Sequence, residues 1–178
     1  MHRSLGTLMA VILLAAAPLA AQDIAPRGGT WGAEVNVGDG TEVSLLRFSS
    51  PSRAWLLGLS FTASRERSDA SGTTVDRNTG FVAAKLGHRW WSGTTAERLR
   101  PFTGLGVGGA YSSTSTSRQH TGFVYGELGA TYFFSPHVSL GAAGNAQVLY
   151  GEDQFGTLLT RRWLVRGTLV RLGAGVYF

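Results

Sequence analysis

The residues with the clearest chemical potential are four charged side chains inside stretches of alternating apolar and small residues. Glu34, Lys85, Glu127 and Arg171 each fall on the small, polar face of their stretch. A charge that is removed from water needs an opposite charge beside it. The pattern therefore predicts that these four residues form a cluster of ion pairs in the interior of the fold.

A run of glycines is predicted to make room for this cluster. Gly104, Gly106 and Gly108 alternate along the same face as Lys85 and Glu127, on the stretch between theirs, and leave space for the two side chains to meet. Two interpretations stay open. The cluster is either a charge-paired plug, which we favour, or a gate whose charges exchange partners to open a narrow pore.

Catalysis is not predicted. Acid–base and nucleophilic chemistry usually need a His beside Ser, Asp or Glu, and only His120, near Ser115 and Ser117, comes close to this arrangement. No hydrolase spacing surrounds it. Because the His residues and carboxylates are not clustered and Cys is absent, neither a metal site nor another cofactor is expected.

The elements that must position these residues are predicted to be β-strands. Eight segments alternate apolar and polar residues with a period of two, and none has helical periodicity. Their lengths suit transmembrane strands, which need about 9–11 residues. The segments span approximately 29–37, 41–48, 54–64, 79–91, 101–112, 121–134, 138–150 and 163–178.

The connections between these segments alternate in length, except for a short one at 38–40 on the loop side and a long one at 92–100 on the turn side. Short turns rich in Ser and Pro are predicted at 49–52 and 135–137. The longer polar connections, predicted as loops, are 65–78, 113–120 and 151–162. Longer loops on one side and shorter turns on the other are typical of outer-membrane barrels. An even number of strands places both termini on the turn side.

Aromatic residues gather at both ends of the segments, which predicts the two interfacial girdles of a membrane barrel. At the turn-side ends they are Trp31, Phe48, Trp55, Trp90 or Trp91, Phe102, Phe133 or Phe134, and Phe178. At the opposite ends they are Phe61, Phe81, Tyr111, Phe123, Tyr150 and Trp163. The predicted fold is an all-β, eight-stranded antiparallel transmembrane up-and-down β-barrel.

The N-terminus has the pattern of a secretory signal peptide, with Arg3, an apolar run to Ala17 and small residues up to Ala21. Residues 1–21 are predicted to be a cleavable signal peptide, and 22–178 a single outer-membrane β-barrel domain. That domain has 15 basic and 11 acidic residues. Because the basic residues form no run and no recognised motif, a nucleic-acid partner is not expected.

The last residues carry a family resemblance. Leu172, Ala174, Val176 and Phe178 alternate, and the chain finishes on Phe178, which resembles the terminal signal that the barrel-assembly machinery reads. Together with the signal peptide and the strand count, the chain resembles the small porin-like outer-membrane proteins of the OmpA/OmpX barrel type. The resemblance implies a monomer in the bacterial outer membrane that this machinery inserts.

Six arginines in the outer polar segments are candidate contacts for lipopolysaccharide, because guanidinium groups bind phosphate through paired hydrogen bonds. They are Arg65, Arg67, Arg77, Arg118, Arg161 and Arg162. The expected function is a structural or surface-interaction role in the outer membrane, without catalysis. The alternatives are a narrow passive channel for small solutes, a lipid-modifying outer-membrane enzyme, and a secreted soluble barrel that binds an apolar ligand.

Overall fold

The computed structural model describes most of the chain beyond the predicted signal peptide. The described residues are 24–38, 40–70, 73–114, 117–155 and 158–178, without the side chains of 65–70, 73–78, 155 and 169. Residues 1–21, predicted as the signal peptide, lie outside this description. Within the described ranges, no helix has the length and apolar character needed to span a membrane.

Eight β-strands form one closed antiparallel barrel. Each strand pairs with its neighbours along the chain, and the first pairs with the last, so the backbone hydrogen bonds close around the barrel. The strands are β1 (Trp31–Val37), β2 (Thr41–Ser50), β3 (Arg53–Ala70), β4 (Thr73–Trp91), β5 (Leu99–Thr114), β6 (Ser117–Ser135), β7 (Val138–Phe155) and β8 (Leu158–Tyr177). This confirms the predicted eight-stranded up-and-down barrel.

The outer surface of the barrel is apolar and exposed. Val35, Leu57 and Leu105, on three different strands, are 48%, 44% and 62% exposed. Other members of this belt are Val43, Leu45, Leu59, Leu86, Val107, Val124, Leu128, Leu140, Val148, Leu172 and Val176. A continuous belt of this kind is suited to lipid rather than to water. The polar faces of the same strands point into the lumen.

The described residues of the three segments predicted as outer loops all belong to strands, and that part of the prediction was wrong. Pairing continues to Ala70 and Thr73 in the β3–β4 hairpin, and to Phe155 and Leu158 in the β7–β8 hairpin. The prediction stopped the strands where apolar alternation stopped. Backbone hydrogen bonds need no apolar face, however, so the ladders extend through polar sequence.

The strands are longer than a membrane requires, except at β1 and β2. The 20 residues of β8 extend about 66 Å, and rise about 50 Å at a tilt of about 40°, whereas the hydrocarbon core is about 30 Å thick. β1 and β2 have only 7 and 10 residues. The barrel wall is therefore lowest at the β1–β2 hairpin and projects elsewhere.

The aromatic residues divide between the two faces of the wall. Trp31, Trp55, Trp90 and Phe178 are exposed on the outside at the turn end, in agreement with a girdle. Four predicted girdle residues instead face the lumen, namely Phe48, Phe81, Phe102 and Phe123. Trp91 and Phe133, each predicted as one of two alternatives, also face the lumen. The prediction used only the position of each ring along its strand. Alternation decides the face, and these six occupy inward positions.

A register shift in β8 changes which of its side chains point inward. Ala143 opposes Arg171, whereas Asn145, two residues further along β7, opposes Thr168. The extra residue on β8 is a β-bulge, and a one-residue slip moves side chains to the other face. As a result, Arg171 lines the lumen on one side of the bulge and Arg166 lines it on the other.

Candidate functional site

The lumen contains three successive layers. From the turn end to the hairpin end, these are an apolar stopper, an ion cluster and an open outer cavity. The apolar stopper consists of Leu46, Phe48, Ala54, Leu56, Trp91, Phe102, Phe133 and Tyr177, all buried. Phe48 stacks on Trp91 with 5.2 Å between ring centroids and meets Tyr177 edge-on at 5.5 Å. A continuous chain of ring contacts, Phe102–Trp91–Phe48–Tyr177–Phe133, thus crosses the lumen at this level.

The turn end is sealed further by the segment that precedes β1. Ala25 and Pro26 are buried, and the Ile24 N–H donates a hydrogen bond to the Thr95 carbonyl at 3.1 Å. Arg100 is only 1% exposed, and its Nη1 donates to the Pro51 carbonyl at 2.8 Å. These contacts tie two turns and the N-terminal segment together across the mouth.

The ion cluster comprises six described residues: Glu34, Glu42, Lys85, Arg89, Glu127 and Arg171. At its centre, Arg89 bridges two carboxylates. Arg89 Nε donates to Glu127 Oε1 at 2.9 Å, and Arg89 Nη1 donates to Glu34 Oε2 at 3.0 Å. The guanidinium also lies over the Phe102 ring, 4.3 Å from its centroid, where it meets the apolar stopper.

The second half of the ion cluster faces the hairpin end. Arg171 Nη2 donates to Glu127 Oε2 at 2.7 Å, and its Nη1 lies 3.4 Å from Glu42 Oε1. Lys85 Nζ lies 2.7 Å from Glu42 Oε2. Three basic and three acidic groups thus form one connected network whose formal charges sum to zero.

Hydroxyl groups complete the network. The Tyr177 hydroxyl donates to Glu34 Oε1 at 3.0 Å and lies 2.8 Å from Ser139 Oγ. Ser44 Oγ donates to Glu42 Oε1 at 2.8 Å. A buried carboxylate that accepts several hydrogen bonds is compensated for the loss of its hydration. The arrangement therefore holds fixed charges in a narrow space.

The structure places all four sequence-predicted cluster residues together in the lumen. One predicted contact differs, because Lys85 pairs with Glu42 while Glu127 pairs with Arg89 and Arg171. Sequence reasoning missed Arg89 and Glu42. Alternation of side chains along β4 could have identified Arg89, because Arg89 lies four residues from Lys85 and therefore on the same face.

Inward glycines make room for large luminal side chains. These side chains include Lys85 and Glu127, as predicted, and also Tyr125. A Cβ added at Gly104 would lie 2.6 Å from Glu127 Cγ, and one at Gly106 would lie 2.6 Å from Tyr125 Cε1. On β3, a Cβ at Gly58 would lie 2.7 Å from Lys85 Cε. The ion cluster thus depends on bare backbone on neighbouring strands.

The outer cavity has a volume of about 510 Å³ and opens at the hairpin end. Its floor is the outer half of the ion cluster, where Lys85, Glu42 and Arg171 line it. Arg162 and Arg166 of β8 stand on its wall above that floor. Amides and hydroxyls from β2, β3, β6 and β7 supply most of the remaining polar lining.

Solved structures share this architecture. Outer membrane protein OprG of Pseudomonas aeruginosa matches with a TM-score of 0.58 at 15% identity, over 88% of this chain and 99% of that one. The fold is that of the small outer-membrane barrels. Outer Membrane Protein W of E. coli gives 0.54 at 11% identity, over 86% and 99% of the two chains. The N-terminal β-barrel domain of P. aeruginosa OprF gives 0.51 at 18%, over 84% and 96%.

Sequence comparison does not assign the chain to a particular family within this outer-membrane barrel fold. No family model matches the chain, and no curated protein matches it.

The arginines predicted to contact lipopolysaccharide separate into three groups in this barrel. Arg118 and Arg161 are exposed, and Arg161 Nε lies 2.7 Å from Glu152 Oε1. Arg162 lines the outer cavity and contacts Asp153 at 3.2 Å. The side chains of Arg65, Arg67 and Arg77 lie outside the described residues.

His120 was the nearest approach to a catalytic residue. Its ring packs against Tyr111, with centroids 5.0 Å apart, and Glu152 is its cross-strand neighbour. The Glu152 carboxylate pairs with Arg161. In the part of the chain that the structure describes, no group of three or more His, Cys, Asp or Glu residues is placed to hold a metal ion.

Proposed function

We propose that this chain is an integral outer-membrane protein with a structural or surface-interaction role. Its lumen is closed at one end and opens to the cell exterior at the other, an arrangement called the closed cup below. The exposed apolar belt and the fold shared with small outer-membrane barrels support the location. β1 starts and β8 ends at the stoppered end, and the long polar hairpins project from the opposite end, which corresponds to the extracellular side of such barrels. The outer cavity then faces outward.

The observation that carries the closed cup is the double barrier across the lumen. The apolar stopper and the ion cluster lie in series, and the small cavity beside Arg89 and Phe102 has a volume of only about 20 Å³. That volume suits about one water molecule. A solute would have to break buried ion pairs and then displace packed aromatic rings.

Conductance in planar bilayers tests this proposal against the channel alternative. We expect no single-channel steps from the wild-type protein or from Glu127→Gln, because the substitution leaves the apolar stopper in place. Wild-type steps that change in Glu127→Gln would instead favour a gate formed by the ion cluster. Heat-dependent gel mobility of each sample serves as the control for folding.

Lipopolysaccharide is the proposed partner at the outer rim. Arg118 and Arg161 support it, because both are exposed near the hairpin end, where their guanidinium groups are able to reach lipid phosphates. We expect the double variant Arg118→Gln/Arg161→Gln to co-purify with less lipopolysaccharide than the wild type. An unchanged amount would contradict this contact.

The proposed role at the membrane does not involve catalysis. The engagement of Glu152 by Arg161 supports this, because it occupies the carboxylate nearest to His120 along the β6–β7 pairing. Overexpression tests the lipid-modifying alternative. Altered lipid A or phospholipid in overexpressing cells, absent from a His120→Ala strain, would establish an enzyme.

We also propose that Phe178 carries the assembly signal. Its ring is 71% exposed, while its backbone is fixed by reciprocal hydrogen bonds with Trp31 at 2.8 and 2.9 Å. The exposed ring is therefore available to the assembly machinery. Phe178→Ala should lower the amount of barrel in outer-membrane fractions without lowering its stability once folded, and an unchanged amount would contradict the role.

A further inference from the structure

The outer cavity has a basic wall on one strand. Arg162, Arg166 and Arg171 of β8 line it from rim to floor. Arg171 belongs to the ion cluster, and Arg162 contacts Asp153 at the rim, with 3.2 Å between Nη2 and Oδ2. Above the floor, Arg162 and Arg166 are the charged residues among the described lining residues. The β-bulge in β8 is what turns both of them inward.

The floor of the cavity adds no free negative charge. Glu42 is the one carboxylate among the described lining residues, and Lys85 and Arg171 both contact it. The ion cluster is neutral as a whole, and Arg162 and Arg166 add two guanidinium groups to the wall above it. Guanidinium groups donate paired hydrogen bonds to phosphate oxygens, so this wall offers donors suited to a phosphate.

The remaining polar lining consists of neutral hydrogen-bonding groups. Gln147 lies directly opposite Arg166 in the β7–β8 register, and Gln119, Asn145 and Thr121 line the same side. Amides and hydroxyls of this kind bind the hydroxyl groups of a ligand. The volume of about 510 Å³ falls within the range of small-molecule sites, about 300–1,000 Å³.

We propose that the outer cavity binds a phosphosugar, with Arg166 and Arg162 contacting the phosphate and Gln147 contacting the sugar hydroxyls. The inference rests on the proposed function, since a cup that faces outward and has a closed floor retains its ligand. A free sugar phosphate and the headgroup of lipopolysaccharide both offer this chemistry. Gly40 and Thr41, at the β1–β2 hairpin where the wall is lowest, line the cavity.

Calorimetric titration tests the site, using protein refolded into detergent without lipopolysaccharide. The probe is glucose 6-phosphate, and glucose is the uncharged control. We expect glucose to bind at least tenfold more weakly, and Arg166→Gln to raise the Kd for glucose 6-phosphate about tenfold or more, since a charge-assisted contact is lost. Added NaCl should weaken binding.

Arg47→Gln is the matched control, because it removes an exposed arginine that lies over the Trp31 ring on the outer face of the barrel and does not line the cavity. It should change the Kd by less than about twofold, since no contact to a ligand in the cavity is lost. Equal effects of Arg47→Gln and Arg166→Gln, equal binding of glucose, or no binding of glucose 6-phosphate would each overturn the proposal. Heat-dependent gel mobility verifies that both variants are folded.

A second arm separates the two sources of ligand. If purified lipopolysaccharide reduces the affinity for glucose 6-phosphate, the headgroup occupies the site. If the affinity is unchanged, the ligand is a free solute. Failure of this proposal is distinct from failure of the closed cup, because a non-conducting barrel that binds no phosphosugar overturns only the site, whereas wild-type conductance overturns the cup.

Discussion

At the scale of single residues, Glu127 is the carboxylate that joins the two halves of the ion cluster. It accepts hydrogen bonds from Arg89 and from Arg171, one at each carboxylate oxygen. Buried ion pairs of this kind add little net stability compared with apolar packing, but removal of one partner leaves the other charges uncompensated. Glu127 therefore matters for stability chiefly because its loss would leave the charges of Arg89 and Arg171 uncompensated.

Replacement of Glu127 by Gln should lower the free energy of unfolding by about 3 kcal/mol, the low end of the range for breaking a buried pair. Urea titration in detergent micelles, followed by Trp fluorescence, measures it. Arg161→Gln, which removes an exposed ion pair, should cost at most about 1 kcal/mol. Similar losses in the two variants would contradict the burial of the cluster.

A methyl group at Gly104 should also disturb the cluster. The added Cβ would lie 2.6 Å from Glu127 Cγ and 2.7 Å from Oε1, so Gly104→Ala should destabilise the barrel by about 1–3 kcal/mol, as overpacking does. At Gly122 a Cβ meets nothing within 4 Å, and Gly122→Ala is the matched control. The same urea titration compares them, and equal stabilities would contradict the close packing.

At the scale of elements, period-two alternation was sufficient to predict eight strands and the inward face of Lys85 and Glu127. Strand ends were not predictable from it, because the hairpins continue where apolar residues stop. The inward position of Arg162 was also missed. Alternation traced back from Phe178 would place Arg162 on the lipid side, and the β8 bulge that reverses this leaves no clear mark in the sequence.

The apolar stopper should contribute strongly to stability as an element. Phe48 is 1% exposed and contacts the rings of Trp91 and Tyr177. Phe48→Ala should cost about 3–5 kcal/mol in urea titrations, as expected for a large cavity. Phe61→Ala, at a position 77% exposed on the outer face, should cost far less. A small decrease in the free energy of unfolding for Phe48→Ala would mean that the apolar stopper is loosely packed.

At the scale of the whole molecule, closure of the sheet into a barrel encloses the space in which the polar and apolar layers lie. Every strand is paired on both sides, and the β1–β8 seam extends from Gly32–Tyr177 to Val37–Leu172. The apolar stopper and the ion cluster then fill part of the space that closure encloses. Such a barrel resists detergent because its backbone hydrogen bonds have no open edge.

Gel electrophoresis with and without boiling is the direct measurement of this closure. The unboiled protein should migrate faster than the boiled protein, because the closed barrel stays compact in detergent. Cell fractionation should find it in the outer membrane. A soluble protein whose mobility does not depend on boiling would contradict the membrane-facing belt and favour a secreted barrel that binds an apolar ligand.

The ion cluster also constrains the order in which the chain becomes native. Arg171 and Glu42 are 129 residues apart, and Arg89 and Glu34 are 55 apart. Such distant contacts form late, because the intervening chain must first be ordered. A sheet that has not joined β1 to β8 holds unpaired charges, and so does one that has slipped in register. Pairing of β1 with β8 is the last step in the folding of the barrel, and because of the ion cluster it is also the step that neutralises the charges in the interior.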